Sequence, residues 1–328
     1  MAGRRKALFR DLALAAAVSI PFAPALALEG GTGAYLLGSR DTFAGIVPAP
    51  GTYLTENFYY ISGTGPTLSL GGQAIVNPDI DVWLSKLDIA HFFQGQVLGG
   101  TAGVVLSIPY AWGSASGSVT GAALQRFEDQ NHGFGDPTLT GLVGWHNGNF
   151  HYSAALSVFI PVGKYNTASI TSLAPLEVEN ALNFGKNKWA FLPAFNATYF
   201  NPQTGFELSG SISVTLNAEN PTTDWLTAPE LNVEAAMLQH LRNGFAFGVA
   251  GYAYQQLGED SGSGADNFKT VVGAKSLEAR VFGVGPILTY GTKIGNTPIS
   301  FKLKYTHEFG SKRRFESDVF SGAIGVSF

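Results

Sequence analysis

The last nine residues of the chain constrain its fold more than any other stretch. They read Phe-Ser-Gly-Ala-Ile-Gly-Val-Ser-Phe, from Phe320 to Phe328. Side chains alternate between the two faces of a strand, so one face carries the large apolar residues and the other carries serine, alanine and glycine. In a soluble β-sandwich this strand would be an exposed edge, whereas a barrel that closes on itself in lipid has no edge. The stretch by itself fits either architecture.

The same alternation recurs along the chain in segments of about ten residues. It is clearest in residues 150–160, 206–216, 231–238 and 299–309. Further candidate strands are residues 52–61, 79–93, 97–110, 138–147, 188–200, 244–256 and 279–291, which together with 315–328 make twelve. An even number of alternating segments is typical of bacterial transmembrane barrels. A split or missed segment near 31–38 or 64–76 would raise the number of strands to fourteen.

The connections between these segments alternate in length. Tight turns occupy residues 147–149, 201–204, 242–244 and 295–296, whereas the connections 111–137, 161–187, 217–228 and 257–278 are long. Short periplasmic turns and long extracellular loops produce this pattern in outer-membrane barrels. The sequence therefore predicts an all-β fold, a transmembrane antiparallel β-barrel of about twelve strands. Within the long loops we expect one short helix, at residues 173–183.

The N-terminus has the three parts of a secretory signal peptide. Arg4, Arg5 and Lys6 form a positive region, an apolar stretch follows, and Ala25-Leu26-Ala27 is a small-x-small cleavage site. We expect residues 1–27 to be removed by cleavage. Residues 28–51 form a Gly- and Pro-rich N-terminal segment, either a surface arm or a segment folded into the lumen, and residues 52–328 form the barrel.

Composition excludes several classes of function. Without residues 1–27, the totals of 20 basic and 24 acidic residues fall to 16 and 23, a net charge of −7, which argues against nucleic acid as a partner. The chain has no cysteine, so disulfides and thiolate metal sites are excluded. Its six histidines form no H-x-x-x-H or H-E-x-x-H pattern. We expect no metal and no cofactor.

Charged residues on the small or polar faces of the strands are the candidate lumen lining. A basic side chain that faced lipid at mid-membrane would cost about 2–4 kcal/mol, so these residues are expected to point inward. They are Lys86, Asp88, Glu207, Glu234, His240, Lys302, Lys304 and Glu308. They would either set the polarity and selectivity of a pore or form paired networks that fill and rigidify the barrel. The sequence does not decide between these two roles.

Catalysis has little support in the sequence, and we predict that the protein is not an enzyme. No G-x-S-x-G nucleophile elbow is present. An outer-membrane barrel enzyme, lipid-modifying or hydrolytic, would need His132 or His240 beside a nucleophile and an acid. That alternative, and a structural barrel with a filled lumen, stand beside the channel hypothesis.

Six short motifs, in order along the chain, resemble the outer-membrane protein family of the meta-pathway of phenol degradation, also called SphA-like transporters. They are Glu29-Gly-Gly, Pro48-Ala-Pro-Gly-Thr-Tyr53, Ile108-Pro-Tyr110, Gly133-Phe-Gly-Asp-Pro137, Ile160-Pro-Val-Gly-Lys-Tyr165 and Asn183-Phe-Gly-Lys-Asn-Lys-Trp189. The resemblance implies a barrel distantly similar to fatty acid and toluene uptake channels. By analogy with those channels, residues 28–51 would plug the lumen, and Arg40 and Asp41 would face inward charges.

The resemblance completes the functional hypothesis. It implies passive uptake of small hydrophobic or aromatic compounds across the bacterial outer membrane. The expected partners are outer-membrane lipid, the solute and, because the chain ends on an aromatic residue, the barrel-assembly machinery. We expect a monomer.

Overall fold

The computed structural model describes residues 29–65, 68–70, 73–119, 126–170, 176–180, 182–271 and 274–328. The signal peptide expected at residues 1–27 lies outside this part of the chain. The strands are β1 Gly51–Thr64, β2 Leu68–Leu70, β3 Gln73–Phe92, β4 Thr101–Val119, β5 Arg126–Phe134, β6 Thr138–Asn147, β7 Phe150–Phe159, β8 Thr167–Ile170, β9 Leu176–Glu179, β10 Ala190–Asn201, β11 Phe206–Asn217, β12 Glu230–His240, β13 Phe245–Gln256, β14 Arg280–Ile294, β15 Thr297–Lys312 and β16 Glu316–Ser327. One α-helix, α1, spans Ser263–Val271, and a short 3-10 helix spans Glu29–Gly31.

Twelve of the described strands form a closed antiparallel ring. Going round the ring, the order is β1, β3, β4, β6, β7, β10, β11, β12, β13, β14, β15 and β16, and β16 pairs again with β1. These strands correspond one to one with the twelve segments predicted from the sequence. The predicted fold class is therefore confirmed, with twelve strands rather than fourteen.

The C-terminal stretch is the strand that closes the ring. Strand β16 pairs with β1 from Tyr53 opposite Ser327 to Thr64 opposite Glu316. The amide of Phe328 continues the ladder by donating a hydrogen bond of 2.9 Å to the carbonyl of Thr52. Phe320, Ile324 and Phe328 point outward and are exposed. The terminal aromatic thus lies on the outside of the seam between the first and last strands.

The alternation that predicts the strands also separates the outside of the barrel from its lumen. On β11, Leu208 and Ile212 are each about half exposed on the outside, while the side chains between them are buried inside. Leucine, phenylalanine and valine dominate the outward positions of the other strands in the same way. An apolar outer surface is what a barrel in lipid requires.

The two ends of the barrel differ. The turn end carries short connections such as Gly148–Asn149 and Gly295–Asn296, together with the start of β1 and the C-terminus. The loop end carries the long connections, and β3 and β4 extend beyond the ring there to pair with β2 and β5. Strands β8 and β9 form a separate hairpin at the same end.

The helix expected at residues 173–183 is wrong in the part that the structure describes, because Leu176–Glu179 is strand β9. The helix lies instead in the connection between β13 and β14, where Phe268 of α1 packs against Trp225 in a buried cluster. Packing against a distant aromatic residue decided this local structure, so the loop sequence alone did not reveal it. No helix in the described residues is long and apolar enough to cross a membrane.

Candidate channel lumen

Residues 29–50, called here the N-terminal segment, run through the inside of the barrel along its whole height. Glu29 and Thr32 contact residues at the loop end, Gly38 to Asp41 contact the middle of strands β12 and β15, and Phe43 to Val47 contact residues at the turn end. The chain then leaves the lumen at the turn end and enters β1 at Gly51.

At the loop end, a buried carboxylate anchors the start of the N-terminal segment. Glu29 forms an ion pair with Lys188 at 3.1 Å and accepts hydrogen bonds from Asn220 and Thr223. Next to it, the ammonium group of Lys186 donates a hydrogen bond of 3.0 Å to the hydroxyl of Thr32. A buried charge is tolerated only when it is paired and hydrogen-bonded, and this arrangement provides both.

In the middle of the barrel, charges on the strands hold the backbone and one side chain of the N-terminal segment. The carboxylate of Glu234 accepts hydrogen bonds from the amides of Gly38 at 2.8 Å and Arg40 at 2.7 Å. Asp41 forms ion pairs with Lys302 at 2.9 Å and Lys304 at 2.7 Å. The two ammonium groups thus pair the buried carboxylate twice, which offsets the cost of burying its charge.

At the turn end, the N-terminal segment packs closely against the wall. Glu207 accepts hydrogen bonds from the amide of Phe43 at 2.6 Å and from the hydroxyl of Thr42. The ring of Phe43 stacks on His240, with centroids 4.8 Å apart. A Cβ atom on Gly45 would lie 2.6 Å from the carbonyl oxygen of His151, so this approach requires glycine.

The position of Arg40 is not the expected one, in which its side chain would face an inward charge. Within the described residues its guanidinium makes no ion pair with a carboxylate; Nη2 lies 3.5 Å from the hydroxyl of Ser157, and the group lies over the ring of Tyr35. Its neighbour Asp41 does meet inward charges. Arg40 instead faces the space that the N-terminal segment leaves open.

That space is a cavity of about 570 Å³ between the N-terminal segment and the opposite wall. The wall is formed mainly by β3, β4, β6 and β7, and most of its side chains are apolar. The lining on this side includes Ile80, Val82, Leu84, Val105, Ala111, Leu142, Ala155 and Phe159. The cavity extends from Val47 near the turn end to Leu182 and Arg314 at the loop end.

The eight candidate lumen residues fall into two groups. Five of them contact the N-terminal segment, and three line the cavity. The first group is Glu207, Glu234, His240, Lys302 and Lys304, and the second is Lys86, Asp88 and Glu308.

An isolated ion pair interrupts the apolar wall. The ammonium group of Lys86 lies 2.9 Å from the carboxylate of Asp88, which also accepts hydrogen bonds from Asn57 and Ser107. Glu308, farther toward the loop end, accepts hydrogen bonds from the hydroxyl of Tyr252 at 2.7 Å and the amide of Ser317 at 2.9 Å. Both sites offer charged groups to a solute at fixed depths of a cavity whose lining is mostly apolar.

The geometry around His240 does not form a catalytic relay. The imidazole Nε2 lies 2.6 Å from Glu207, and the hydroxyl of Ser209 donates to the same carboxylate at 2.6 Å. The carboxylate thus stands between the histidine and the serine, whereas a nucleophile needs the histidine beside its hydroxyl. His132 is held through its backbone: its carbonyl accepts a hydrogen bond from Lys164, and its amide donates one to Asn131. In the described part of the chain, no three His, Asp or Glu side chains converge as a metal site.

The sequence also matches a known family. The model of the family described as "Putative MetA-pathway of phenol degradation" matches residues 65–323. The chain belongs to this family. No curated protein matches the chain in sequence.

Solved structures of outer-membrane proteins are similar to the chain, and one of them has the same fold. The COG4313 outer membrane channel from Pseudomonas putida F1 is 14% identical, with a TM-score of 0.61 over 90% of this chain and 100% of that one. A FadL homologue from Pseudomonas aeruginosa is 10% identical, with a TM-score of 0.42 over 93% and 97% of the two chains. The monoaromatic hydrocarbon channel TodX, as a deletion mutant, is 8% identical, with a TM-score of 0.41 over 88% and 92%.

Motifs by which the chain resembles the phenol-degradation family converge at the loop end. Asp136 accepts hydrogen bonds from the amides of Gly163 at 2.8 Å and Lys186 at 2.7 Å, which joins three of the motifs. The Glu29 motif meets the 183–189 motif through Lys188. The sequence did not place these motifs together, and it did not indicate that Lys186 and Lys188 hold the N-terminal segment. The available signal was an acid in the Glu29 motif and two lysines in the 183–189 motif.

Proposed function

We propose that this member of the phenol-degradation family is an outer-membrane channel for passive uptake of small hydrophobic or aromatic compounds. The observation that carries the proposal is the apolar cavity of about 570 Å³ beside the N-terminal segment. Cavities of roughly 300–1,000 Å³ with mostly apolar walls and a few polar groups are typical of small-molecule sites. Here the polar groups include Arg40, the Lys86–Asp88 pair and Glu308.

In this proposal, residues 1–27 direct the chain to the periplasm and are removed, and the barrel-assembly machinery inserts it as a monomer. The turn end then faces the periplasm and the loop end faces the medium. A solute enters among the long loops, contacts the apolar wall, and moves down its concentration gradient. The protein performs no chemistry on the solute.

The N-terminal segment acts as the plug of this channel. It fills one side of the lumen through hydrogen bonds to Glu207 and Glu234 and through the ion pairs of Asp41. We infer that a shift of the segment toward this polar wall, or its release, widens the apolar side. The lumen charges that bind the segment then control opening, and those that line the cavity influence which solutes pass.

Two substitutions on adjacent residues of β4 test the proposal. Val105 lines the cavity, and Leu106 next to it points outward to the lipid. Val105→Trp should reduce the flux of toluene or phenol into liposomes several-fold, because the indole occupies the cavity. Leu106→Trp adds the same side chain on the lipid face and should leave the flux unchanged.

The structural alternative, a barrel with a filled lumen, has a specific observation in its favour. The N-terminal segment is held at three levels by buried charges, as expected of a rigid filling. The liposome assay separates the two functions. If the wild-type barrel transports neither aromatic solutes nor small sugars above the rate of protein-free liposomes, the channel proposal is wrong and the structural one stands.

A further inference from the structure

Two histidines face each other at the turn end of the lumen. The hairpin of β6 and β7 has a two-residue turn, which places His146 directly opposite His151 on the inward face. Their Nδ1 atoms are 2.6 Å apart, and their rings are T-shaped with centroids 4.9 Å apart. The sequence spacing of five residues follows from the hairpin and differs from the helical H-x-x-x-H spacing.

The remaining ring nitrogen of His146 is already oriented by the protein. Its Nε2–H donates a hydrogen bond of 3.1 Å to the carbonyl of Val47 in the N-terminal segment. This hydrogen bond leaves Nδ1 unprotonated, with its lone pair directed at His151. A metal-binding histidine typically donates its other N–H to a backbone carbonyl or carboxylate in this way. The pair therefore has two converging nitrogens, and the ring of His146 is also held in place by the carbonyl of Val47.

The geometry requires little change to accept an ion. Two imidazole nitrogens bound to a tetrahedral zinc ion at 2.0–2.1 Å would be about 3.3 Å apart. The Nδ1 atoms must therefore separate by less than about 1 Å, which a small rotation of the exposed His146 side chain permits. The proton now between the two Nδ1 atoms moves to Nε2 of His151, so both rings stay neutral and no proton is lost. His146 is exposed at the mouth, so an ion and its waters can reach the pair.

We propose that His146 and His151 bind one divalent transition-metal ion at the periplasmic mouth of the lumen. Two imidazoles suit Zn²⁺, Ni²⁺ and Cu²⁺, with Cu²⁺ bound most tightly of the three. Water completes the coordination. Because His146 also holds Val47, the bound ion ties the β6–β7 hairpin to the end of the N-terminal segment.

Titration of the full-length mature barrel in detergent micelles with ZnCl₂, NiCl₂ or CuCl₂ tests the site. Isothermal titration calorimetry should give a binding stoichiometry of one ion per chain for the wild type. His146→Ala and His151→Ala should each weaken binding at least about tenfold, as loss of even an outer-shell partner does in metal sites. His91→Ala is the matched control, because His91 is an exposed histidine at the same end whose Nδ1 meets the hydroxyl of Thr52. It should bind as the wild type does.

Electron paramagnetic resonance of the Cu²⁺ complex gives an independent readout. The wild-type spectrum should show two nitrogen ligands, and either alanine variant should show one or none. A difference in gel migration between unheated and heated samples establishes that each variant is folded. Absence of saturable binding in the wild type overturns the proposal, and so does equal affinity in the wild type and both folded variants.

Discussion

Asp41 offers the sharpest test of the idea that charge holds the N-terminal segment in the lumen. Asp41→Asn removes the negative charge that Lys302 and Lys304 share while nearly preserving the shape of the side chain. The side chains of Asp41 and Lys304 are only 5% and 6% exposed, so solvent screens their interaction little. The substitution should therefore weaken docking of the segment without disturbing the strands.

The burial of the pair sets the size of the effect. A hydrogen bond to a charged group contributes about 1.5–3 kcal/mol, so loss of the carboxylate should weaken docking of the segment by about 2 kcal/mol. A loss of about 2 kcal/mol raises the undocked fraction roughly 30-fold. Removing one partner of a buried ion pair costs up to about 3–5 kcal/mol, so 30-fold is the conservative figure.

Limited digestion with chymotrypsin measures the undocked fraction, since the segment contains Leu36, Leu37 and Phe43 as cleavage sites. When opening is fast relative to cleavage, the cleavage rate follows the population of the open form. Asp41→Asn should be cut in this segment roughly 30 times faster than the wild type. The matched control is Asp318→Asn, an acid on the outer face of β16 whose carboxylate meets Tyr305 and His307.

A double-mutant cycle with Lys304→Met completes the test. If the two residues act as a pair, the double variant is destabilised by less than the sum of the single variants. Cleavage of Asp41→Asn within twofold of the wild-type rate would refute the reasoning that this ion pair holds the segment.

Two further outcomes follow from the structure. Deleting Phe328 should lower the folded fraction recovered in membranes, by gel migration, while the relative flux of different solutes in the barrels that do fold stays the same. Trp225→Ala should cost about 3–5 kcal/mol and lower the Tm, because Trp225 is buried against Phe268, whereas the exposed Trp189→Ala should change the Tm little.

The barrel was predictable because its strands are specified by a local pattern. On strands such as β11 and β15, every second residue meets lipid, so the alternation appears directly in the sequence and also assigns Glu207 and Lys302 to the inside. The tight turns, which contain asparagine or glycine, indicated where one strand ends and the next begins. The boundaries were less accurate for β3 and β4, which extend past the ring because they pair with β2 and β5.

The path of the N-terminal segment was not predictable in the same way. Its partners lie far away in sequence: the amide of Gly38 meets Glu234, 196 residues on, and Lys302 meets Asp41 across 261 residues. The segment has no periodic pattern, since its backbone groups bond to side chains of the wall instead of to a neighbouring strand. The alternation of polar and apolar residues indicated that charged side chains line the inner wall of the barrel. Which group each charge pairs with depends on how the strands are arranged in the closed ring.

The N-terminal segment is tied to the barrel in two different ways at its two ends. At the turn end it is continuous with β1 through Gly51, whereas at the loop end it is held by Glu29 and Thr32 through noncovalent contacts to Lys188 and Lys186. In the proposed function, residues 1–27 are removed and the loop end faces the medium, so release of the segment from the lumen begins at the loop end. A molecule that disturbs Lys186 and Lys188 there loosens that end first, so the barrier is opened from the side on which the solute arrives.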